Sequence, residues 1–397
     1  MDTHSAETLA PFDTRACIHC GMCLQACPTY VETGNEAHSP RGRIYSLRAV
    51  AEGRLSWAEV QEQMDACLGC LACETACPSP VPYEKILMTA RSEIDRRRPP
   101  WHWFARHMLV SIAQSPKRFA QTAPLAAHPL SGRILGLALG GGTRLPLIPI
   151  ADEEASLPEM LPAVGEQRGT VALLVGCVQR VTLPATTRAA ARCLSANGYE
   201  VLTISHPECC GALAAHYGDP AVAQRLADDL ASACPAHTPL IVTAAGCGAF
   251  LKQALRDRDM EVFDFSEFLW SSGWTAPLDS VPRLRVALHD PCHLEHGQGI
   301  KAQPRELLSL IPGIEPLELD ESYCCGSAGL YNVYQPVMAR KLLERKLDAI
   351  IRTGADIVLS SNPGCTLWLH QGIEERGLRL QVLHIAEVMA SALTDAT

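Results

Sequence analysis

Two kinds of hydrophobic pattern divide the chain. In the first, the apolar residues Ile44, Leu47 and Val50 recur at helical spacing and predict a helix ending near Gly53, with a second helix leading to Cys67. After residue 169, short apolar runs alternate with helical patterns, which predicts βαβ units around a parallel sheet. The stretch from 124 to 169 is rich in Pro, Gly, Ala and Leu and has weak periodicity, so we expect a linker with short helices there.

The part after residue 169 contains an internal repeat. The apolar runs "TVALLVGCV" and "LRVALHDPCH" both reach a cysteine, and a helical pattern and the motif CCG follow each run. The interval is C-x31-CCG in both copies, and each copy continues to another apolar run and a further cysteine. Because parallel sheets gather ligands at the carboxyl ends of their strands, each copy is expected to bring four cysteines to one sheet edge. The alternative is that the CCG cysteines only form a tight turn. The candidates for further cluster ligands are Cys177, Cys209, Cys210 and Cys247 in the first copy and Cys292, Cys324, Cys325 and Cys365 in the second.

A second repeat lies near the N-terminus. The runs "CIHCGMCLQACP" (17–28) and "CLGCLACETACP" (67–78) share the spacing C-x2-C-x2-C-x3-C-P. This is the run of bacterial ferredoxins, in which the fourth cysteine ligates the other of two clusters. The pattern predicts two [4Fe-4S] clusters that lie close together. The expected ligands are Cys17, Cys20, Cys23 and Cys77 for cluster 1, and Cys67, Cys70, Cys73 and Cys27 for cluster 2.

Disulfides and zinc are the competing explanations for a chain with 18 cysteines. Neighbouring cysteines at x2 spacing pair poorly with each other, and the opening residues lack the pattern of a signal peptide, so a reducing compartment is expected. Zinc sites usually take two C-x2-C pairs that lie far apart in sequence, unlike these compact runs. Iron-sulfur ligation is therefore favoured. Cys193 and Cys234 have no counterparts in the repeats and are expected to pack in the core.

Charge and composition exclude some functions. The chain has 397 residues, a net charge of −9 and a pI near 5.9, and no basic patch interleaved with aromatic residues, so nucleic acid is not an expected partner. No stretch of 18 apolar residues occurs that would span a bilayer. The one local exception to this acidic balance is the segment 91–119, which is basic and contains two tryptophans. It is expected either to dock on a membrane surface or a partner, or to cover the ferredoxin core.

No substrate site is recognisable in the sequence. There is no G-x-G-x-x-G after a strand and no P-loop, and "LGGGTR" (139–144) falls in the expected linker, so a flavin or nucleotide site is not predicted. His289 and His293 flank Cys292 and are expected either to tune a nearby site or to bond within the core. Arg41 and Arg43 are expected either to offset cluster charge or to be solvated. No catalytic residue is assigned, and the predicted chemistry is electron transfer.

The paired runs, the segment "SPRGRIY" and the motifs "DPCH" and "CCGSAGLYN" together resemble the iron-sulfur subunit of bacterial glycolate oxidase over nearly the whole chain. Similar architecture occurs in iron-sulfur subunits of anaerobic glycerol-3-phosphate dehydrogenase and lactate-utilisation enzymes, and the cysteine-rich modules are shared with heterodisulfide reductase. The resemblance implies a complex in which an FAD-containing subunit oxidises glycolate or another 2-hydroxy acid, beside a second flavoprotein-like subunit. FAD would be present only in the partner. Electrons would pass to a quinone, and the complex would be cytoplasmic and peripheral on the cytoplasmic face of the inner membrane.

One departure separates this chain from the heterodisulfide reductase type. That type ends each module in C-x2-C and so has five cysteines per module, whereas here "GCG" and "NPGC" supply one cysteine each. A self-contained reductase is therefore the less favoured alternative, and a zinc-stabilised interaction protein is a third.

The overall prediction is an α+β multidomain protein. An α-helical two-cluster ferredoxin domain (1–95) is followed by a helical or linker segment (96–168) and two α/β, parallel-sheet CCG modules (169–280 and 281–397).

Overall fold

The computed structural model describes residues 14–127, 150–151, 157–320 and 323–394. Its N-terminal part is helical, as predicted. Ser39 caps α2 by accepting a hydrogen bond from the Gly42 N–H, and Ser56 and Glu59 form a capping box at α3. Both predicted helices between the cysteine runs are therefore confirmed. The helices are α1 (Pro28–Thr33), a 3-10 turn (Glu36–His38), α2 (Pro40–Ala51), α3 (Trp57–Asp65), α4 (Ala72–Thr75), α5 (Tyr83–Asp95), α6 (Pro100–Ala113) and α7 (Pro116–Ala127).

The first repeat copy, called module 1, is built on a five-stranded sheet in the order β1-β3-β2-β4-β5. All pairings are parallel except that of β1 with β3. Strand β1 lies in the stretch expected to be a linker, and the sequence analysis missed it because it has only two residues. The elements are β1 (Met160–Leu161), β2 (Gly169–Leu174), α8 (Val178–Thr182), α9 (Pro184–Ala196), β3 (Tyr199–Ile204), α10 (Ala212–His216), α11 (Pro220–Ala233), β4 (Leu240–Val242), α12 (Ala245–Ala254), β5 (Val262–Asp264) and α13 (Phe265–Ser272).

The second copy, called module 2, has a four-stranded parallel sheet in the order β7-β6-β8-β9. This order matches β3-β2-β4-β5 of module 1, so the sequence repeat is a structural repeat. The elements are β6 (Leu284–His289), α14 (Cys292–Gln298), α15 (Ala302–Ser309), β7 (Ile314–Glu318), α16 (Tyr331–Tyr334), α17 (Pro336–Thr353), β8 (Ile357–Ser360), α18 (Pro363–Glu375), β9 (Gln381–Leu383) and α19 (Ile385–Ser391).

The two modules share one hydrophobic core. Helix α9 of module 1 packs on α19 of module 2, and α15 of module 2 packs on α13 of module 1, so equivalent elements are exchanged across the contact. Val171 and Leu173 of β2 belong to the same buried cluster as Val286 and Leu288 of β6. Because each module buries apolar surface against the other, their thiol-bearing edges are held in a fixed relation.

Two features of the intervening segment concern the sequence predictions. The "LGGGTR" motif and most of the expected linker lie outside the described residues. Among the residues that the structure does describe, no helix has the length and apolar character needed to span a bilayer.

Candidate metal centre

The two N-terminal cysteine runs have the same backbone shape. His19 and Gly21 in the first run, and Gly69 and Leu71 in the second, occupy equivalent positions and all have positive φ, between 56° and 86°. Left-handed residues at alternate positions turn successive N–H groups toward one side, a concave arrangement that occurs at anion and iron-sulfur sites. In each run only one of the two left-handed residues is glycine, so a non-glycine residue adopts this conformation in both. The two runs therefore repeat a backbone conformation as well as a ligand spacing.

The thiols of the two runs meet in one core. Cys67 and Cys73 are buried in a hydrophobic cluster against which Cys17, Cys23 and Cys77 pack. Cys20 is exposed, and it lies on the outer side of the domain.

Cys27 acts on thiols of both runs. Burial raises the pKa of Cys70 and Cys73, and the negative charge of Cys27 is among the neighbouring thiolates that raise it further. The same charge also acts on Cys23 of its own run. Cys27 therefore lies between the two sets of thiols.

Arg43 is a buried cation of this core. Its side chain is 1% exposed; Nε donates to the Gln63 carbonyl at 2.8 Å, and Nη1 points to Cys27 Sγ at 3.9 Å. Burial alone would raise the pKa of the Cys67 thiol, but the Arg43 and Arg91 charges outweigh burial and lower it. Arg41 instead lies at the surface, where it pairs with Glu36. Arg43 is therefore placed to offset thiolate charge, whereas Arg41 is partly exposed and its Nη1 donates to the His19 carbonyl of the first run at 3.1 Å.

Each CCG module brings its four predicted cysteines together at the carboxyl ends of its strands. In module 1, Cys210 Sγ lies 2.9 Å from Cys247 Sγ, and the interaction with Cys209, together with burial, raises the pKa of Cys177. In module 2, the corresponding Sγ–Sγ distance, from Cys325 to Cys365, is 3.0 Å, and the interaction with Cys324, together with burial, raises the pKa of Cys292. These separations exceed the ~2.0 Å of a disulfide bond. All 18 cysteines are free thiols, so the donor set suits a soft metal or an iron-sulfur group.

The glycine of each CCG motif is required by space and by conformation. Gly211 and Gly326 have φ values of 95° and 89°. A Cβ would meet the Ala223 carbonyl oxygen at 2.5 Å in module 1 and the Ala339 carbonyl oxygen at 2.6 Å in module 2. The motif therefore forms a tight turn and at the same time presents two thiols.

The thiol edges of the two modules face each other across a cavity of about 550 Å³. Helix α12, which carries Cys247, packs on α14, which carries Cys292. Gln298 Nε2 donates to the Ala245 carbonyl at 3.0 Å, and the Gly246 N–H donates to Asn362 Oδ1 at 3.2 Å, so polar bonds join the two edges. Seven of the eight module cysteines line the cavity. Its apolar wall includes Met88, Phe119, Leu213, Phe250 and Trp368.

The second cysteine run is docked against module 2. Leu68 and Cys70 belong to the same hydrophobic cluster as Cys324, and after burial the Cys292 charge is the largest influence that raises the pKa of Cys70. The hydroxyl of Tyr331 donates to the Ala66 carbonyl at 3.0 Å. The expected ligands of cluster 2 thus adjoin the thiols of module 2.

Two residues that the sequence analysis did not single out hold this junction. Arg91 Nη2 donates to the Cys67 carbonyl at 2.5 Å, and its Nη1 donates to the His216 carbonyl at 3.0 Å. His216 Nε2 in turn hydrogen-bonds to the Leu68 carbonyl at 3.1 Å. In the sequence Arg91 is only one of several cations in a basic segment, and nothing local indicates a partner 125 residues away.

The cysteines outside the repeats and the two histidines near Cys292 are all placed by the structure. Cys193 and Cys234 are buried in hydrophobic clusters, which confirms core packing, although the cluster of Cys234 also includes Cys210. His293 Nδ1 lies 3.4 Å from Cys292 Sγ. His289 is buried near Cys325 and Cys365, and burial together with the Lys346 charge holds its pKa well below the ordinary range.

The basic segment 91–119 is divided between two faces. Arg91 and Arg98 are buried, and Arg98 pairs with Asp65 at 2.5 Å. These arginines therefore belong to the packing of the ferredoxin part and do not face outward. The outer face of α6 instead exposes Trp101, Phe104 and Met108, at helical spacing.

Comparisons with known proteins cover the same regions. The family described as 4Fe-4S dicluster domain matches residues 13–81, and the family described as cysteine-rich domain matches residues 171–252 and 286–370. The first match decides between zinc and iron-sulfur for the paired runs in favour of iron-sulfur.

Three curated relatives align over nearly the whole chain. The probable glycolate oxidase iron-sulfur subunit of Bacillus subtilis is 31% identical, with 96% of this chain and 94% of the relative covered. The glycolate oxidase iron-sulfur subunit of Escherichia coli has the same identity and the same two coverages. One subunit of the dihydromethanophenazine:CoB–CoM heterodisulfide reductase of Methanosarcina barkeri is 25% identical over 100% of this chain and 98% of the relative.

Proposed function

This chain belongs to the family of glycolate oxidase iron-sulfur subunits, and we propose on this basis that it carries electrons from a flavoprotein partner to a quinone. The partner is an FAD-containing subunit that oxidises glycolate or another 2-hydroxy acid, and a second flavoprotein-like subunit completes the complex. Iron-sulfur clusters supply one-electron carriers, which link the two-electron chemistry of a flavin to a quinone.

The chain's own residues hold these carriers. The ligands are Cys17, Cys20, Cys23 and Cys77 for cluster 1, and Cys67, Cys70, Cys73 and Cys27 for cluster 2. Cys27, which lies between the two thiol sets, favours this exchange of the fourth ligand. Arg43 and Arg91 offset the negative charge of the thiolates on the second run.

The observation that carries the proposal is the contact between the second run and module 2. Cys70 and Cys324 share one hydrophobic cluster, so the ferredoxin part and the CCG thiols form a continuous series of ligands. We propose that both CCG sets hold iron-sulfur clusters, because each gathers four free thiols at one edge. The series leads to the cavity between the modules, whose wall of Met88, Phe119, Phe250 and Trp368 suits the apolar ring of a quinone.

A second surface suits attachment to the cytoplasmic face of the inner membrane. Trp101, Phe104 and Met108 form an exposed apolar stripe on α6, and the exposed Arg96 and Arg97 lie at the preceding turn. Aromatic side chains beside basic ones are typical of helices that bind an anionic lipid surface. We therefore assign the stripe to peripheral docking on anionic lipid.

A double substitution tests the electron path. Cys324→Ser with Cys325→Ser should lower the iron content of anaerobically purified complex and stop quinone reduction, while the hydroxy acid still reduces the partner's flavin. Cys193→Ala is the matched control, because Cys193 is equally buried but lies outside the thiol sets. If iron content and quinone reduction both survive the double substitution, the CCG motif of module 2 is only a turn and the electron path ends at the ferredoxin clusters.

The same cavity favours one alternative, a reductase that acts on a small disulfide by itself. Its volume of about 550 Å³ is within the usual range for small-molecule sites, and thiols from both modules line it. The purified chain, supplied with a chemical electron donor and a low-molecular-weight disulfide, distinguishes the two functions. Turnover without the flavoprotein would support the alternative.

A further inference from the structure

The two modules differ at the residue that ends their central strand. Strand β2 ends at Leu174 and β6 ends at His289, and each of these residues lies three positions before the first cysteine of its module. The strands occupy the same place in their sheets. Module 1 therefore has a leucine where module 2 has a histidine.

A second difference lies beside the first. The CCG glycines contact Ala223 and Ala339 in the same way, which makes these alanines equivalent. Seven residues further on, helix α11 has Leu230 and helix α17 has Lys346. In module 1, Leu174 and Leu230 pack in one hydrophobic cluster with Cys210. In module 2, His289 and Lys346 take their places, and both are 3% exposed.

The substitution of two polar groups for two leucines has a cost. A buried polar atom without a hydrogen bond destabilises a fold by about 1–3 kcal/mol. Within the described residues, neither Nδ1 nor Nε2 of His289 has a hydrogen-bond partner. A well-packed leucine would avoid this cost, as it does in module 1, so the histidine needs a partner that the protein chain does not supply.

The surroundings of His289 identify the partner. A ring nitrogen of His289 and the Sγ atoms of Cys325 and Cys365 all lie within 4.8 Å of one another, close enough to hold one metal centre. Imidazole and thiolate both ligate iron, and mixed sets occur in iron-sulfur proteins. Lys346 lies close enough for its ammonium group to interact with the charges of Cys324, Cys325 and Cys365.

We propose that His289 is a nitrogen ligand of the iron-sulfur cluster that module 2 holds, in place of one of its four thiolates and with Cys325 and Cys365 among the other ligands. This inference rests on the proposed function, in which the CCG modules bind clusters. Module 2 then offers five donors, whereas module 1 offers four thiols and no nitrogen.

The difference in ligands sets the direction of electron flow. A neutral imidazole places less negative charge on a cluster than a thiolate, and histidine ligation raises the reduction potential of iron-sulfur centres. The Lys346 ammonium acts in the same direction, because a nearby positive charge favours the reduced state. Module 2, which also adjoins Cys70 of the second run, is therefore the module at which electrons collect.

The test uses the anaerobically purified chain labelled with 15N-histidine, and its readout is the hyperfine coupling between nitrogen and the reduced clusters in pulsed EPR. We expect a coupling in the wild type that His289→Leu abolishes and His293→Gln retains. His289→Leu copies the residue of module 1 and should also lower the potential of one cluster. His289→Cys keeps a donor, so it should retain iron while losing the coupling.

The iron content separates the two proposals. Two ferredoxin clusters account for about eight irons per chain, so a higher content shows that the CCG modules are loaded. Iron above that number without any histidine coupling, or with a coupling that His289→Leu leaves unchanged, overturns the role of His289 alone. Iron at about eight per chain overturns both this role and the clusters in the modules. If His289→Leu fails to fold, His289→Cys decides the matter, because it keeps a donor and a coupling that persists in it overturns the role of His289.

Discussion

Arg43→Met removes a buried cation of the ferredoxin core with little change in side-chain length. Its guanidinium lies 3.9 Å from Cys27 Sγ and also donates to Thr29 Oγ1 at 3.0 Å. Cys27 and Cys67, whose charges both act on Arg43, are the proposed ligands of cluster 2. We expect the variant to lower the reduction potential of cluster 2, because the added electron loses a favourable interaction with a positive charge.

Coulomb's law gives the size of the effect. With an effective dielectric constant of about 20, a unit charge pair at the Arg43–Cys27 distance interacts by ~4 kcal/mol. The added electron is spread over a cluster and so lies further away on average. At about twice that distance the interaction is ~2 kcal/mol, or roughly 90 mV for a one-electron couple.

The assay is an anaerobic potentiometric titration of the purified chain followed by EPR, with Arg41→Met as the matched control. Arg41 lies on the same helix two residues earlier, but it is partly exposed, pairs with Glu36 and bonds the His19 carbonyl of the first run, so its removal should leave the potential of cluster 2 nearly unchanged. Arg43→Lys keeps the charge and should recover most of the potential. An equal shift in the Arg41 and Arg43 variants, or a potential that Arg43→Met does not lower, refutes the reasoning.

Three further predictions concern other parts of the chain. Cys27→Ser should perturb the EPR signal of the cluster held by Cys67, Cys70 and Cys73. Cys77→Ser should perturb the signal of the cluster held by Cys17, Cys20 and Cys23. Changes confined to the cluster of the mutated run would exclude ligand exchange. Trp101→Ser with Phe104→Ser should weaken sedimentation with phosphatidylglycerol vesicles about tenfold or more. Val337→Ser, which changes an exposed apolar residue on α17, should leave sedimentation unchanged. Undiminished binding of the double variant would assign the α6 stripe to a protein partner. Burial and the Glu74 charge raise the pKa of Glu84 from 4.5 to about 7. As pH rises between these values, Glu84 ionises in the unfolded chain but stays protonated in the folded one, so the folded state loses stability. Glu84→Gln should therefore stabilise the chain against guanidinium by ~1 kcal/mol more at pH 8 than at pH 6, and an equal gain at both pH values would show that the carboxyl is not buried as described.

The basic segment shows the limits of local sequence. A run of arginines beside tryptophans leaves open whether the segment docks on a surface or covers the ferredoxin core, and the structure divides it: Arg98 is buried against Asp65 and Arg91 bonds the backbone of Cys67. An arginine reversal meant to test docking must therefore avoid both positions. Arg96 and Arg97, which pair with Glu93 at the surface, remain available to lipid, as do the exposed Lys117 and Arg118.

The sequence by itself determined the ligand spacing, the two repeats and the class of fold. These features are local, because the reach of a C-x2-C-x2-C run and the alternation of apolar strands with helices depend on neighbouring residues only. The equal C-x31-CCG intervals likewise predicted that each module gathers its thiols at one sheet edge, and the structure places them there.

Only the tertiary structure decided how these parts meet. Arg41 and Arg43 look alike in sequence, but the rotation of α2 places one at the surface and the other against Cys27. His289 and Lys346 are distant in sequence, and only the packing of α17 on the end of β6 makes them neighbours. The docking of Cys70 beside Cys324 also depends on apolar surface that distant segments bury together. Such contacts depend on shape and burial across the whole chain, and no local pattern encodes them.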